Sequence, residues 1–244
     1  MLPLHDDNPS GRTPWVTYGL IAANVLVFLY QLTMSDAMLE RFVYAFGVVP
    51  HDMTARYGMV SGGHAVALTG FVPLLTSLFM HAGWMHLGGN MLFLYIFGDN
   101  IEDRLGHLGY ALFYLLAGVA ASLAHVLSDP ASELPSLGAS GAIGGVLGAY
   151  VVLYPAARVT TLTFLGPFIT TLRIPAWIFL GIWFALQSLN GVASLGNQPA
   201  GGVAWFAHIG GFLAGVLVGV LAKALPERDN GRSPHADRWY SERW

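Results

Sequence analysis

The chain has 244 residues, of which 55% are hydrophobic and 10% charged; 11 Lys and Arg stand against 14 Asp and Glu, for a net charge of −3. A soluble domain of this length carries roughly a quarter of its residues as charges, so the shortage excludes an ordinary water-facing surface and points to lipid. The missing basic excess excludes a nucleic-acid-binding field, the aromatic and aliphatic content excludes disorder, and the absence of cysteine excludes disulfides, thiolate metal sites and a cysteine nucleophile.

A spanning helix needs about 20 mostly apolar residues to cross roughly 30 Å of hydrocarbon. Residues 1–13 are polar and lack the positive start and small-residue cleavage site of a removable signal. The run 15–33 therefore reads as a retained first span. A long connection over 34–76, with Pro50, Pro73 and scattered glycines, mixes apolar and polar residues and is expected to fold onto the membrane surface. The second and third spans are 79–97 and 108–127. Residues 128–137 form a loop by their prolines and acids. Spans four and five follow at 139–154 and 174–189, a glycine-rich loop at 191–203, the sixth span at 204–225 and a polar tail at 226–244. The expected fold is an all-α polytopic membrane protein, a six-transmembrane-helix bundle over 14–225 with short polar segments at both ends. Nine of the eleven cations (Arg12, Arg104, Arg158, Arg173, Lys223, Arg228, Arg232, Arg238 and Arg243) fall on the side of the termini, leaving Arg41 and Arg56 opposite. Cytoplasmic flanks are enriched in Lys and Arg, so both termini are expected in the cytoplasm.

Polar residues inside a span are costly and by default mark function. Span two contains His81, His86 and Asn90, the last two at i and i+4 on one helical face. Span four opens with Gly138-Ala139-Ser140-Gly141, and span six with Ala207-His208-Ile209-Gly210-Gly211. Both run inward from the outer surface. At 1.5 Å of rise per residue, Ser140 and His208 share a depth just below that surface. A serine and a histidine that meet can perform nucleophilic catalysis, the imidazole taking the hydroxyl proton and returning it to the leaving amine. Ser140 lies at a helix start, where unpaired N–H groups and a positive dipole suit an oxyanion; His86 and Asn90 would add side-chain donors. Asp99, Glu102 and Asp103 lie at the opposite end of span two, so the expected unit is a dyad. Small-residue stripes, Ser140/Gly144/Gly148 and His208/Gly211/Gly215/Gly219, would let spans four and six touch. His81 and His86 are five apart with no glutamate between them, which does not suit a one-face zinc pair, and no metal is expected.

These motifs resemble the bacterial rhomboid family of intramembrane serine proteases, in the basic six-helix form, over about residues 14–225. Gly98, Glu102 and Gly106 also match a GxxxExxxG pattern at the inner end of the family's second span, read here as helix-end packing with a buried or capping carboxylate. The resemblance implies a Ser140/His208 dyad, with oxyanion stabilisation by the Ser140 N–H, His86 and Asn90. Gly138, Gly141 and His81 would support it, with His81 bonding structurally to the outer loop. It further implies an outward-opening, water-accessible cavity and a gate and cap made of span five and the 191–203 loop. Transmembrane proteins in the lipid bilayer would be the substrates, the bacterial inner membrane the location, and no cofactor would be needed. Gly144 departs from the aromatic that studied members often carry at that position, packed against the base; the first outer loop lacks the Trp-Arg pair found in some of them. His125, Tyr150 and Tyr154 read as core or interface residues. A catalytically silent rhomboid-like binder of membrane clients is the alternative. A transporter is disfavoured, because no internal repeat is seen and the polar residues cluster near one face.

Overall fold

Apolar runs punctuated by glycine and proline give nine helices among the described residues, in a computed structural model that describes residues 1–56, 72–165, 168–194 and 204–226. The first long helix is α1 (Trp15–Gln31). Within the 34–76 connection lie α2 (Asp36–Phe46), α3 (Pro50–Arg56) and α4 (Val72–Thr76); residues 57–71 fall outside the described residues. Five longer helices follow: α5 (Trp84–Leu105), α6 (His107–Ser128), α7 (Ser140–Leu153), α8 (Ala176–Ser194) and α9 (Trp205–Ala224). Together with α1 they correspond to the six predicted apolar segments and run alternately up and down. By length and composition α6, α8 and α9 are each long and apolar enough to cross a membrane; α1 and α7 are apolar but shorter.

Three expectations need correction. The fold is not all-α: β1 (Leu2–Asp6), β2 (Arg158–Leu165) and β3 (Phe168–Pro175) form an antiparallel sheet in the order β1-β2-β3, with Leu2 opposite Leu162 and Arg158 opposite Pro175. The β-branched Val159, Thr160, Thr161 and Thr163 favour extended backbone and a pleated surface, and the N-terminal strand covers one edge of the hairpin. Second, α5 begins at Trp84, after a 3-10 turn at Ser77–Phe79, so His81 lies in the 80–83 connection between the two rather than in the span. Third, residues 191–194 continue α8, and the rest of the expected 191–203 loop lies outside the described residues. Of the 226–244 tail, only Pro226 is described.

The core joins Leu94, Phe97 and Ile101 of α5, Tyr110 and Tyr114 of α6, Leu147 and Tyr150 of α7, Leu180 of α8 and Phe212 of α9. Leucines also cover the outside, among them Leu108, Leu116, Leu189, Leu217 and Leu221, all exposed. Contiguous apolar outer faces of this kind are tolerable in lipid and not in water. At the centre, α7 is buried from Gly141 to Tyr150. Its closest neighbour is α9, because glycine faces glycine: a Cβ on Gly211 would run into the Gly141 carbonyl, and one on Gly215 into the Gly145 carbonyl. The small-residue stripes thus do bring α7 and α9 together, with Gly141 and Gly145 sharing the seam with Gly148.

The two ends of the bundle differ. At the sheet end, the Arg104 guanidinium of α5 donates to the carbonyls of Ala222, Leu225 and Pro226, which ties the ends of α5 and α9 together beside the N-terminal strand. At the other end, α3 packs on the 129–139 connection through Thr54, whose hydroxyl donates to the Pro130 carbonyl at 2.9 Å. Val48 and Ser136 exchange backbone hydrogen bonds there.

Candidate active site

Ser140 is the first residue of α7 and His208 the fourth of α9, both at the end opposite the sheet. The glycine seam that lets the two backbones approach places the Ser140 Oγ 2.8 Å from the His208 Nε2. Gly144, the departure noted from the resemblance, admits α9: a Cβ there would lie 2.9 Å from the His208 carbonyl oxygen. The packing role passes to Trp183 of α8 and Trp205 of α9, whose rings lie 6.0 and 6.1 Å from the His208 ring. Neither tryptophan belongs to the sequence-based set.

The depth of the pair can be read from α6. Gly141 packs against Ala121, seven residues before α6 ends at Ser128; at 1.5 Å of rise per residue, α6 continues about 10 Å beyond the serine. Above the pair opens a cavity of about 680 Å³, lined among others by Ser140, His208, His86, Asn90, Ser122 and His125. His125, read from sequence as a core or interface residue, forms part of the cavity wall.

Gly138 adopts φ +128°, a conformation that side chains rarely tolerate, and its N–H donates to the Ser77 carbonyl at 2.9 Å. It also leaves room for His86, since a Cβ on Gly138 would sit 2.7 Å from the His86 Nε2. The Ala82 N–H donates to His86 Nδ1 at 3.4 Å, which leaves the proton of a neutral ring on Nε2, the atom beside Gly138. Gly141 packs closely on Ala121, where an added Cβ would meet the Ala121 Cβ at 2.6 Å.

His81 is buried and holds Asn90: the Asn90 amide nitrogen donates to His81 Nε2 at 2.9 Å. His81 is itself clasped by Gln31 of α1, whose side chain accepts from the His81 N–H at 3.0 Å and donates to its carbonyl at 3.2 Å. One hydrogen of the Asn90 amide is used by His81; the second remains available toward the cavity that Asn90 lines.

A residue that sequence reasoning missed completes the set. Gln187 of α8 directs its carboxamide oxygen to His208 Nδ1 at 2.6 Å. The signal was present, because an amide in an apolar helix meets the same criterion that singles out Ser140. Among the described residues no group of three or more His, Asp or Glu side chains is placed to hold a metal ion.

An imidazole nitrogen 2.8 Å from a hydroxyl, beside a helix start and two further donors, has the geometry to deprotonate a nucleophile and to receive an oxyanion. Fold and site together define a class: a helical bundle with membrane-length helices that carries a serine–histidine pair in a cavity at one end. The sequence matches the Rhomboid domain over residues 68–224, and the chain belongs to the rhomboid family. It is 30% identical over 234 residues to Rhomboid protein 1, mitochondrial, of Saccharomyces cerevisiae, covering 92% of this chain and 58% of that one. It is 34% identical over 160 residues to Rhomboid-like protein 11, chloroplastic, of Arabidopsis thaliana, covering 62% and 52%. With Rhomboid protease GluP of Bacillus subtilis it shares 31% over 208 residues, or 85% of this chain and 35% of the other. The chain thus spans between about a third and three fifths of the length of these relatives.

Proposed function

We propose that this protein is an intramembrane serine endopeptidase that cleaves transmembrane segments of other membrane proteins near the outer face of a bacterial inner membrane. The observation that carries the reading is the 2.8 Å contact between Ser140 Oγ and His208 Nε2 in a cavity open at one end of the bundle. Membership of a family that includes a protein named as a protease supports it.

In this reading Ser140 Oγ attacks the scissile carbonyl carbon as its proton passes to His208 Nε2. The tetrahedral oxyanion is held by the Ser140 N–H, the His86 Nε2–H and the free amide hydrogen of Asn90. The C–N bond then breaks as His208 returns the proton to the leaving amine, leaving an acyl group on Ser140. A water from the cavity, deprotonated by His208, attacks the ester and regenerates the serine. His81 acts on Asn90 alone and does not touch the substrate.

A helical substrate hides its carbonyls in i to i−4 hydrogen bonds, so preferred substrates have a span whose outer end is locally unstable, with glycine or proline near a small residue before the cut. The six long helices act as six spans with both termini cytoplasmic, over a domain of residues 14–225. The sheet end, where Arg104, Arg158 and Arg173 lie, faces the cytoplasm in accord with the positive-inside bias. Helix α8 serves as the gate.

The test is reconstitution in proteoliposomes with a model single-span substrate. Ser140→Ala and His208→Ala are each expected to lower cleavage by at least about 10³-fold. Full cleavage by either variant overturns the reading. Fluorophosphonate labelling of Ser140 in the wild type separates a protease from a silent binder of the same clients.

A further inference from the structure

We infer that Gln187 is a positioning residue for His208: its carboxamide oxygen accepts the Nδ1 proton and holds the ring in the tautomer whose Nε2 lone pair faces Ser140. The inference rests on the proposed protease reading and assigns a role to a helix that reading uses only as a gate.

The argument starts from the proton count of an imidazole. A neutral ring carries one N–H, and which nitrogen bears it is set by the hydrogen bond that the other makes. A proton on Nε2 would point at the Ser140 oxygen and leave its hydroxyl without an acceptor. A carbonyl oxygen can only accept. At 2.6 Å from Nδ1, Gln187 Oε1 therefore selects the Nδ1–H form and frees Nε2 for the hydroxyl at 2.8 Å. The rings beside His208, Trp183 and Trp205, fix its plane by packing and have no acceptor to offer Nδ1.

A neutral amide in this place also follows from the surroundings. A carboxylate would compensate the imidazolium more strongly, but a charge held in an apolar bundle keeps a desolvation penalty even after relaxation. Gln187 is part-buried between α8 and α9, where an amide supplies orientation at a far smaller desolvation cost. The oxygen-in geometry makes a specific chemical demand: replacement by glutamate, which keeps an acceptor, must preserve function, whereas a donor-in arrangement would not.

The test compares wild type, Ser140→Ala, Gln187→Met and Gln187→Glu in the full chain, reconstituted with the single-span substrate. The His208 ring is read in parallel by ¹⁵N chemical shifts, assigned by difference from His208→Ala. Methionine keeps the length and bulk of glutamine and removes the acceptor. The expected result for Gln187→Met is an about tenfold lower kcat with KM within about twofold, the worth of one neutral hydrogen bond, together with loss of the pure Nδ1–H signature. Gln187→Glu is expected to recover kcat to within about threefold of wild type. A wild-type kcat and tautomer in Gln187→Met would overturn the inference, as would a Gln187→Glu as impaired as Gln187→Met. If the wild type cleaves no faster than Ser140→Ala, the protease reading fails by itself. The ¹⁵N signature still decides whether Gln187 holds the ring.

Discussion

Glu102, at the sheet end of the bundle, accepts from the N–H groups of Val16 and Thr17 at 2.9 and 2.8 Å, from the Thr17 hydroxyl at 2.7 Å and from His107 Nδ1 at 2.6 Å. Ser140, at the cavity end, bonds through its hydroxyl to His208 and begins a helix whose first-turn N–H groups have no intrahelical partner. At the sheet end, charged groups tie elements together: Glu102 caps α1, Arg104 caps α9, Asp103 accepts from the Gly11 N–H at 3.0 Å, and Asp6 receives the Tyr150 hydroxyl and the Asn100 amide. The cavity is lined instead by side chains without Asp, Glu, Lys or Arg, among them Ser140, His86 and Asn90. The difference teaches a division of labour. Charged side chains of α5 hold helix ends together at one end, and neutral side chains face an open cavity at the other.

That division can be broken or sharpened by variants. The largest effect on stability is expected from Glu102→Ala, which removes a buried acceptor of four hydrogen bonds and uncaps α1. It should lower unfolding stability by about 3 kcal/mol, measured in detergent, while the cleavage rate of the folded fraction stays within about threefold. A rate collapse without loss of stability would show that the sheet end takes part in chemistry. Asn90→Ala is the counterpart at the cavity end, expected to lower kcat about 10²-fold at an unfolding cost of about 1 kcal/mol from the lost His81 contact. Gly215→Ala links the two regions: its methyl meets the Gly145 carbonyl, and overpacking of this kind costs about 1–3 kcal/mol. The same wedge should separate α7 from α9 and slow fluorophosphonate labelling of Ser140.

The smallest effect concerns pH at the sheet end. Burial pushes the Asp6 carboxyl up from 3.8 to about 7; the Tyr150 hydroxyl partly opposes this, while the nearby Asp99 and Asp7 add to it. The folded state therefore holds a proton that the unfolded chain releases, and docking of β1 weakens as pH rises from about 4 to about 7. Hydrogen-exchange protection of the β1 amides should fall across that window. Asp6→Asn should flatten the dependence, and an unchanged slope in that variant would assign it to another group.

Much of this molecule was legible in its sequence. The six apolar segments lie within a few residues of the six long helices for most of their ends, because hydrophobic length is a local property. Ser140, His208, His86 and Asn90 stood out because almost nothing around them is polar. The sheet escaped a reading tuned to long apolar windows. Its signal, threonine-rich runs on either side of Gly166-Pro167, is one of alternation and turn residues, and its third strand comes from more than 150 positions away. Gln187 escaped because its meaning depends on a ring in another helix, and Trp183 and Trp205 because packing on His208 is invisible to spacing.

By itself, the sequence determined the lipid-suited composition, the number of long apolar segments and the small set of polar residues within them. These follow from transfer free energies and helical periodicity, which add up locally along the chain. Only the tertiary structure decided that Ser140 meets His208 across 68 positions and that Gln187 meets it across 21. The positions of three helices must all be set before those two hydrogen bonds can exist, and that placement rests on glycine-to-glycine packing between α7 and α9 and on aromatic packing between α8 and α9. A tautomer is a property of such an arrangement, and no single segment carries it.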